Sequence, residues 1–227
     1  MLKDYVAVQY DLERRPITSY PTKLAKRLAH LHKISVGAKL LEVGAGRPDV
    51  LNGFRLAGMD VYGCDISKIS EIACNKVNIP FKYVNLVNGK LPYKNEVFDV
   101  VYSKSVIEHM PDPLSFVTES FRVLKPGGLL LILTPDWEAN YKTFFDDFTH
   151  VRPMSQRSMN LLLSMLDPAE IDTYRFRQLP LTWKYPVINM FCAFLAPFVP
   201  VRTTNSFLRW SRELMLVGFA RKKHKVI

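Results

Sequence analysis

From Leu40 to Thr134 the chain alternates short apolar runs with amphipathic stretches, and few folds accept that pattern. Short runs of this kind, too brief for helices and joined by helical periodicity, mark parallel strands connected by crossover helices. Strands are expected over about 38–43 (AKLLEV), 59–64 (MDVYGC), 80–84 (PFKYV), 97–102 (VFDVVY) and 128–134 (GLLLILT), with helices over about 49–57, 67–76 and 113–124. The stretch Leu124-Lys125-Pro126-Gly127-Gly128 is expected to stop the third helix and reverse the chain, because proline cannot continue a helix and glycine permits the turn. The pattern predicts an α/β, Rossmann-like doubly wound sheet with helices on both faces. A chain of 227 residues favours one domain. Its parts are an N-terminal helical cover (1–36), a core (37–135) and a remainder on the substrate side (136–227).

In the cover, Tyr20 to Ile34 spaces Leu24, Leu28 and Leu31 on one helical face, suited to covering the sheet or a ligand. In the remainder, Ser155 to Leu166 reads as a helix with Ser155 as N-cap, and Glu213 to Arg221 as a final strand. Residues 185–201 carry no charge, lie between Lys184 and Arg202, and contain Pro186, Pro197 and Pro200. That is short of the about 20 apolar residues a membrane-spanning helix needs, and the prolines argue against one continuous helix. An interfacial membrane contact, an apolar lid, a dimer contact and plain core all remain open for it.

The net charge of +10 is unevenly spread. Residues 1–40 hold eight basic and three acidic side chains, residues 41–136 ten and eleven, and residues 137–227 thirteen and seven. The excess on the flanks suits anionic partners such as phosphorylated sugars, anionic lipid or RNA, or simply aids solubility. Three scattered cysteines, Cys64, Cys74 and Cys192, are too few for a disulfide framework and read as free thiols. The first twenty residues contain no apolar run, so a cytoplasmic address is expected, with membrane association through 185–201 kept open.

The first strand runs into KLLEVGAGRPDV, residues 39–50. Gly44 and Gly46 let backbone approach a ligand closely. A dinucleotide turn would also want glycine at position 49 and would aim a helix N-terminus at a pyrophosphate. Here Asp49 would repel a pyrophosphate, and Glu42 at the strand end adds to the repulsion. Asp65, nineteen residues after Gly46, ends the second strand, where an acid can accept hydrogen bonds from both hydroxyls of a ribose. The ligand therefore carries a nucleoside and positive charge but no diphosphate, as S-adenosylmethionine does.

With LLEVGAG, YGCDIS, VNLVNGKLPYKNEVFDVVYSKSVIEHMPDP and RVLKPGGLLLI in this order, residues 37–135 resemble the class I S-adenosylmethionine-dependent methyltransferases, especially the ubiquinone/menaquinone-biosynthesis-like (type 11) group. The resemblance implies a seven-stranded sheet, mostly parallel with an antiparallel last strand, and S-adenosylmethionine as cofactor, leaving as S-adenosylhomocysteine. It places Glu42 near the methionine end of the ligand, has Gly44, Ala45 and Gly46 line it, gives Asp65 the ribose, sandwiches the purine between Ile66 and Leu86, and sets Ser103 beside the methyl group. Asn85 stands where the family usually has an aspartate bonding the adenine amino group, and its side-chain carbonyl can still accept that bond. Pro48 departs from the family's third glycine.

Methyl transfer from a sulfonium is an in-line displacement, so alignment comes first and, for a hydroxyl acceptor, a base must take the proton. Two clusters offer one: Glu108-His109 after the fourth strand, and Asp146-Asp147-Phe148-Thr149-His150-Val151-Arg152 after the fifth. The second also resembles a D-x-T-H-x-R stretch of family members associated with bacterial surface-glycan and glycolipid pathways. His150 is assigned as base, Asp147 as its orienter and Arg152 as an anion contact, with His109 as the other candidate; a structural role is the alternative for each histidine. Related O-methyltransferases resemble E-x-x-E-H at the first cluster and use it for a divalent cation. Here Ser105 replaces the first glutamate, Glu108 and His109 alone make a poor hard-cation site, and no metal is expected. The expected function is O-methylation of a small, glycan or lipid-linked acceptor. The alternatives are an RNA methyltransferase and a non-catalytic partner protein of the same fold.

Overall fold

The longest strand, Leu124–Pro135, lies beside the middle of a seven-stranded sheet and positions everything that follows. The computed structural model describes residues 4–9, 16–87 and 90–225. The strands are β1 (Lys39–Val43), β2 (Asp60–Asp65), β3 (Phe81–Tyr83), β4 (Phe98–Lys104), β5 (Leu124–Pro135), β6 (Glu170–Arg177) and β7 (Leu214–Arg221), in the order β3-β2-β1-β4-β5-β7-β6. Strands β1 to β5 pair in parallel; β7 is antiparallel to both β5 and β6. The α/β, doubly wound architecture with a reversed last strand is thus observed. The helices are α1 (Tyr5–Gln9), α2 (Tyr20–Leu31), α3 (Asp49–Leu56), α4 (Lys68–Lys76), α5 (Pro113–Arg122), α6 (Trp137–Asn140), α7 (Gln156–Ser164), α8 (Pro180–Lys184), α9 (Pro186–Leu195) and α10 (Ser206–Arg212).

One apolar cluster fills each face of the sheet. On one, α2 and α3 bring Leu24, Leu28, Leu51 and Phe54 against Leu40, Val100, Tyr102 and Leu131. On the other, α5 and α7 bring Phe116, Val117, Met159 and Leu163 against Leu41, Val101, Leu130 and Ile132. Adjacent residues of β1, β4 and β5 therefore serve opposite faces, which is why these strands read as unbroken apolar runs rather than alternating ones. Gly53 makes the α2–α3 contact close: a Cβ there would stand 2.9 Å from the Thr22 Cα.

The structure corrects one local expectation. Helix α5 ends at Arg122, and Leu124 to Gly128 belong to β5 instead of forming a reversal. Leu124 pairs with Phe98, and the register then shifts before Val100 pairs with Leu129. Such a bulge tolerates Pro126, which has no N–H to give, and Gly127 at a φ of +77°. Strand β6 gave no apolar signal because it is an edge strand, and charge on an edge blocks unwanted pairing. In 185–201 the prolines act as expected: Pro186 starts α9, and Pro197 falls in a single 3-10 turn, Ala196–Phe198. No helix among the described residues is long and apolar enough to cross a membrane. Of the expected cover 1–36, residues 1–3 and 10–15 lie outside the described residues.

Candidate functional site

The carboxyl ends of β1, β2 and β4 meet around the glycine turn, the edge at which open α/β sheets bind ligands. Gly44 and Ala45 donate their N–H groups to the Cys64 carbonyl (2.9 and 3.1 Å), which pins the turn to the end of β2. Gly44 sits at a φ of +77°, and a Cβ there would overlap the Val106 side chain. Glycine is required at this position on both counts.

Glu42 is buried, and its Oε2 has no hydrogen-bond partner. Burial pushes its carboxyl well above the usual carboxylate range, against the pull of Lys104 and with the help of Asp65 and Asp49. An orphaned buried acid of this kind is stabilised by a cation. Asp65, also buried, accepts from the Gly46 N–H at Oδ2 (2.8 Å) and from the Ser67 N–H at Oδ1 (2.9 Å). Burial raises its carboxyl too, in opposition to those backbone bonds. The helix cap is Ser67, whose hydroxyl accepts from Ile69 and Ser70, leaving Asp65 free of that task. Ser103 is buried on β4 with an unpartnered hydroxyl. Ile66 is exposed beside Asp65, Leu86 is partly buried, and the Asn85 carbonyl accepts from the Val87 N–H (3.0 Å) in a local turn, which occupies one of its two lone pairs.

The two loops proposed for chemistry are joined. The Glu108 carbonyl accepts from both the Val151 and Arg152 N–H groups (2.9 Å each), and the imidazoles of His109 and His150 lie 4.8 Å apart. His150 Nδ1 donates to the Phe144 carbonyl (2.6 Å), which leaves Nε2 as the basic nitrogen. His109 Nδ1 meets the Thr149 hydroxyl (2.9 Å), and that hydroxyl donates to Asp147 Oδ1 (2.6 Å). Its Nε2 is therefore basic as well. Burial and the neighbouring His150 lower the His109 pKa, which favours its neutral form. Asp147 does not orient His150 as expected: its Oδ2 stands 4.0 Å from His150 Nε2, too far for a hydrogen bond, while its Oδ1 reaches His109 through the Thr149 hydroxyl. Burial would raise the Asp147 carboxyl, but the hydrogen bonds from Thr149 and Tyr5 outweigh it and hold it below its ordinary value. Arg152 donates to the Pro111 carbonyl (2.6 Å) and stays exposed.

Glu108 completes the group. It is fully buried, its Oε2 accepts from the Thr134 hydroxyl (2.9 Å), and its Oε1 has no well-aligned partner. Burial pushes its pKa up to about 7, opposed by Thr134, Lys104 and Ser105. One ligand atom from each of Glu108, His109 and His150 fits within a mutual 4.8 Å, so these three together could hold a metal ion. The sequence reading separated His150 from the other two by forty residues of chain and did not pair them.

Sequence reasoning also missed α1. Asp4 accepts from the Ser67 hydroxyl (3.0 Å), one residue past Ile66, while Tyr5 and Gln9 donate to Asp147 Oδ2 (2.5 and 3.1 Å). This short helix and the residue before it strap the Ser67 end of the cleft to the loop that carries His150. No local motif announces such a contact; only the weak apolar signal of Val6, which is buried, was there to be seen.

The proteins to which this chain is similar are methyltransferases. Residues 41–132 match the model of the methyltransferase domain family. A ubiquinone biosynthesis O-methyltransferase of Cereibacter sphaeroides is 31% identical over 102 residues, 43% of this chain and 41% of that protein. The 27-O-demethylrifamycin SV methyltransferase of Amycolatopsis mediterranei is 27% identical over 132 residues, 54% of this chain and 48% of that one. The chain thus spans less than half the length of the curated relatives it matches. The crystal structure of a SAM-dependent methyltransferase from Archaeoglobus fulgidus superposes over 96% of this chain and all of that one with a TM-score of 0.67 at 16% identity.

Proposed function

We propose that this chain, which carries a class I methyltransferase domain, is an enzyme that moves the methyl group of S-adenosylmethionine to an oxygen of a small or lipid-linked acceptor. The observation that carries the first half is the buried, unpartnered Glu42 oxygen beside the glycine turn. The residues present fit the cofactor: Glu42 would hold its ammonium, Gly44, Ala45 and Gly46 its flank, Asp65 its ribose hydroxyls, and Ile66 and Leu86 its purine faces. When bound, S-adenosylmethionine supplies an electrophilic methyl group on a sulfonium.

The chain's own part is to align the acceptor, exclude water and take a proton. His150 Nε2 and His109 Nε2 are the basic atoms, each fixed by its Nδ1 hydrogen bond. One of them removes the hydroxyl proton as the carbon–oxygen bond forms and the carbon–sulfur bond breaks. Oxygen as the acceptor atom is supported by these poised bases and by the O-methyltransferase relatives. The test is calorimetry with S-adenosylhomocysteine, then mass spectrometry of small-molecule extracts incubated with methyl-labelled donor. Binding and label on oxygen are expected. Absence of binding, or preference for NAD, overturns the reading; label on nitrogen overturns its second half.

One observation favours a second reading of the histidine cluster. Both Nδ1 atoms are anchored by hydrogen bonds that leave the Nε2 lone pairs available, and Glu108 offers a buried oxygen, as metal-ligating histidines and carboxylates do. Under it, Glu108, His109 and His150 would hold a divalent cation, which would supply Lewis-acid activation of the acceptor hydroxyl. Full turnover after dialysis against chelator would reject it.

A further inference from the structure

We propose that the face formed by α9 and the turn Ala196–Phe198 docks on an anionic phospholipid bilayer. The inference rests on the methyl-transfer reading only for what is delivered there, an apolar acceptor. Of the ten residues of α9, PVINMFCAFL, only Cys192 is buried. Met190, Phe191, Phe194 and Phe198 stand in solvent, with Phe194 73% and Phe198 77% exposed. A contiguous apolar surface of this kind on a single chain marks a contact site. At 1.5 Å per residue the helix is about 15 Å long, half of the about 30 Å hydrocarbon core. It therefore lies in the interface plane and does not cross.

Charge selects the occupant. From Thr173 to Arg212 there are six arginines and lysines and no acid. Lys184, Arg202 and Arg209 flank the apolar face and are exposed. Arg202 pairs with the exposed Asp146, and Arg209 lies 3.7 Å from the partly buried Glu213; pairs open to solvent on the cationic side are weak and leave the field largely positive. A second copy would bring like charges together across the contact, whereas anionic headgroups take them up at about 1 kcal/mol per basic side chain. The surface also leads to the site. Arg202 makes two bonds to Asp146 (2.9 and 3.0 Å), the last residue of the turn before Asp147, and the same loop exposes Phe145 and Phe148, the latter at 89%. A bilayer seated on this face would meet the mouth beside His150.

The test is flotation of the whole chain with vesicles of phosphatidylcholine alone and of phosphatidylcholine with added phosphatidylglycerol, with S-adenosylhomocysteine affinity measured in parallel. Flotation with the anionic vesicles only, weakened by salt, is expected. The double substitution Phe194→Ser, Phe198→Ser removes two exposed rings and should lower partitioning by more than about tenfold with nucleoside affinity unchanged. Equal flotation of wild type and variant, or none with either vesicle, overturns the proposal. So does a wild-type dimer by light scattering that the double substitution splits, since a second copy would then be the occupant. Failure to bind S-adenosylhomocysteine would instead strike the functional reading and leave this one standing.

Discussion

At the scale of single residues, the site is a set of buried groups held in a state that a ligand would change. Burial penalises the Glu42 carboxylate and raises its pKa well above the usual carboxylate range. A bound ammonium would favour the carboxylate and lower that pKa again, so binding should be coupled to proton release from Glu42. Calorimetry in buffers of different ionisation enthalpy should show that release, and Glu42→Gln should abolish it; a buffer-independent enthalpy in the wild type would mean that Glu42 does not face the cation. The two histidines are anchored and basic at Nε2, and His150→Ala should cost about 10²- to 10⁴-fold in turnover with S-adenosylhomocysteine affinity near wild type. Full activity in that variant with His109→Ala inactive would move the proton transfer to the loop after β4.

At the scale of elements, position matters more than propensity. Helix α1 is five residues long and could not persist alone; it is held by Val6 and by hydrogen bonds to both sides of the cleft. A strap so tied should slow ligand escape. Asp4→Ala and Tyr5→Phe should each raise the release rate of S-adenosylhomocysteine by roughly two- to tenfold, the worth of one hydrogen bond, with little change in melting temperature. An unchanged rate in stopped-flow displacement would make α1 a surface ornament. The core elements were legible because α2 to α5 and α7 carry apolar spacing, proline starts and serine caps. Strand β6 and helix α1 were not, since one is a charged edge and the other is fixed by contacts more than sixty residues away.

For the molecule as a whole, buried acids tie stability to pH. Glu108 holds its proton up to about pH 7 in the folded chain, whereas the unfolded chain gives it up near 4.5. The folded state thus binds the extra proton between these values. The contribution of this group is fully present below about pH 4.5 and falls by about 3 kcal/mol as pH rises to about 7. Denaturant midpoints in chelator should drop across that range, and Glu108→Gln, which keeps a partner for Thr134, should shrink the drop. An identical slope in the variant would mean that Glu108 is solvated or paired.

The order of apolar runs, the glycine turn and the acids at the ends of β1 and β2 were local features, so the sequence alone determined the sheet, its crossover helices and the place of Glu42, Gly44, Gly46 and Asp65 at one edge of that sheet. It also marked both histidine loops. What it did not determine is how those loops meet. His109 and His150 are adjacent because β4 and β5 are neighbours in the sheet and the Glu108 carbonyl binds the second loop. Phe144, rather than Asp147, orients His150 through a backbone carbonyl that every residue type possesses, which no residue pattern can signal. The apolar run in 185–201 was visible as composition, but whether it was core or surface depended on what packs against it. Only the tertiary structure, in which α9 buries one residue of ten, decided that it faces outward.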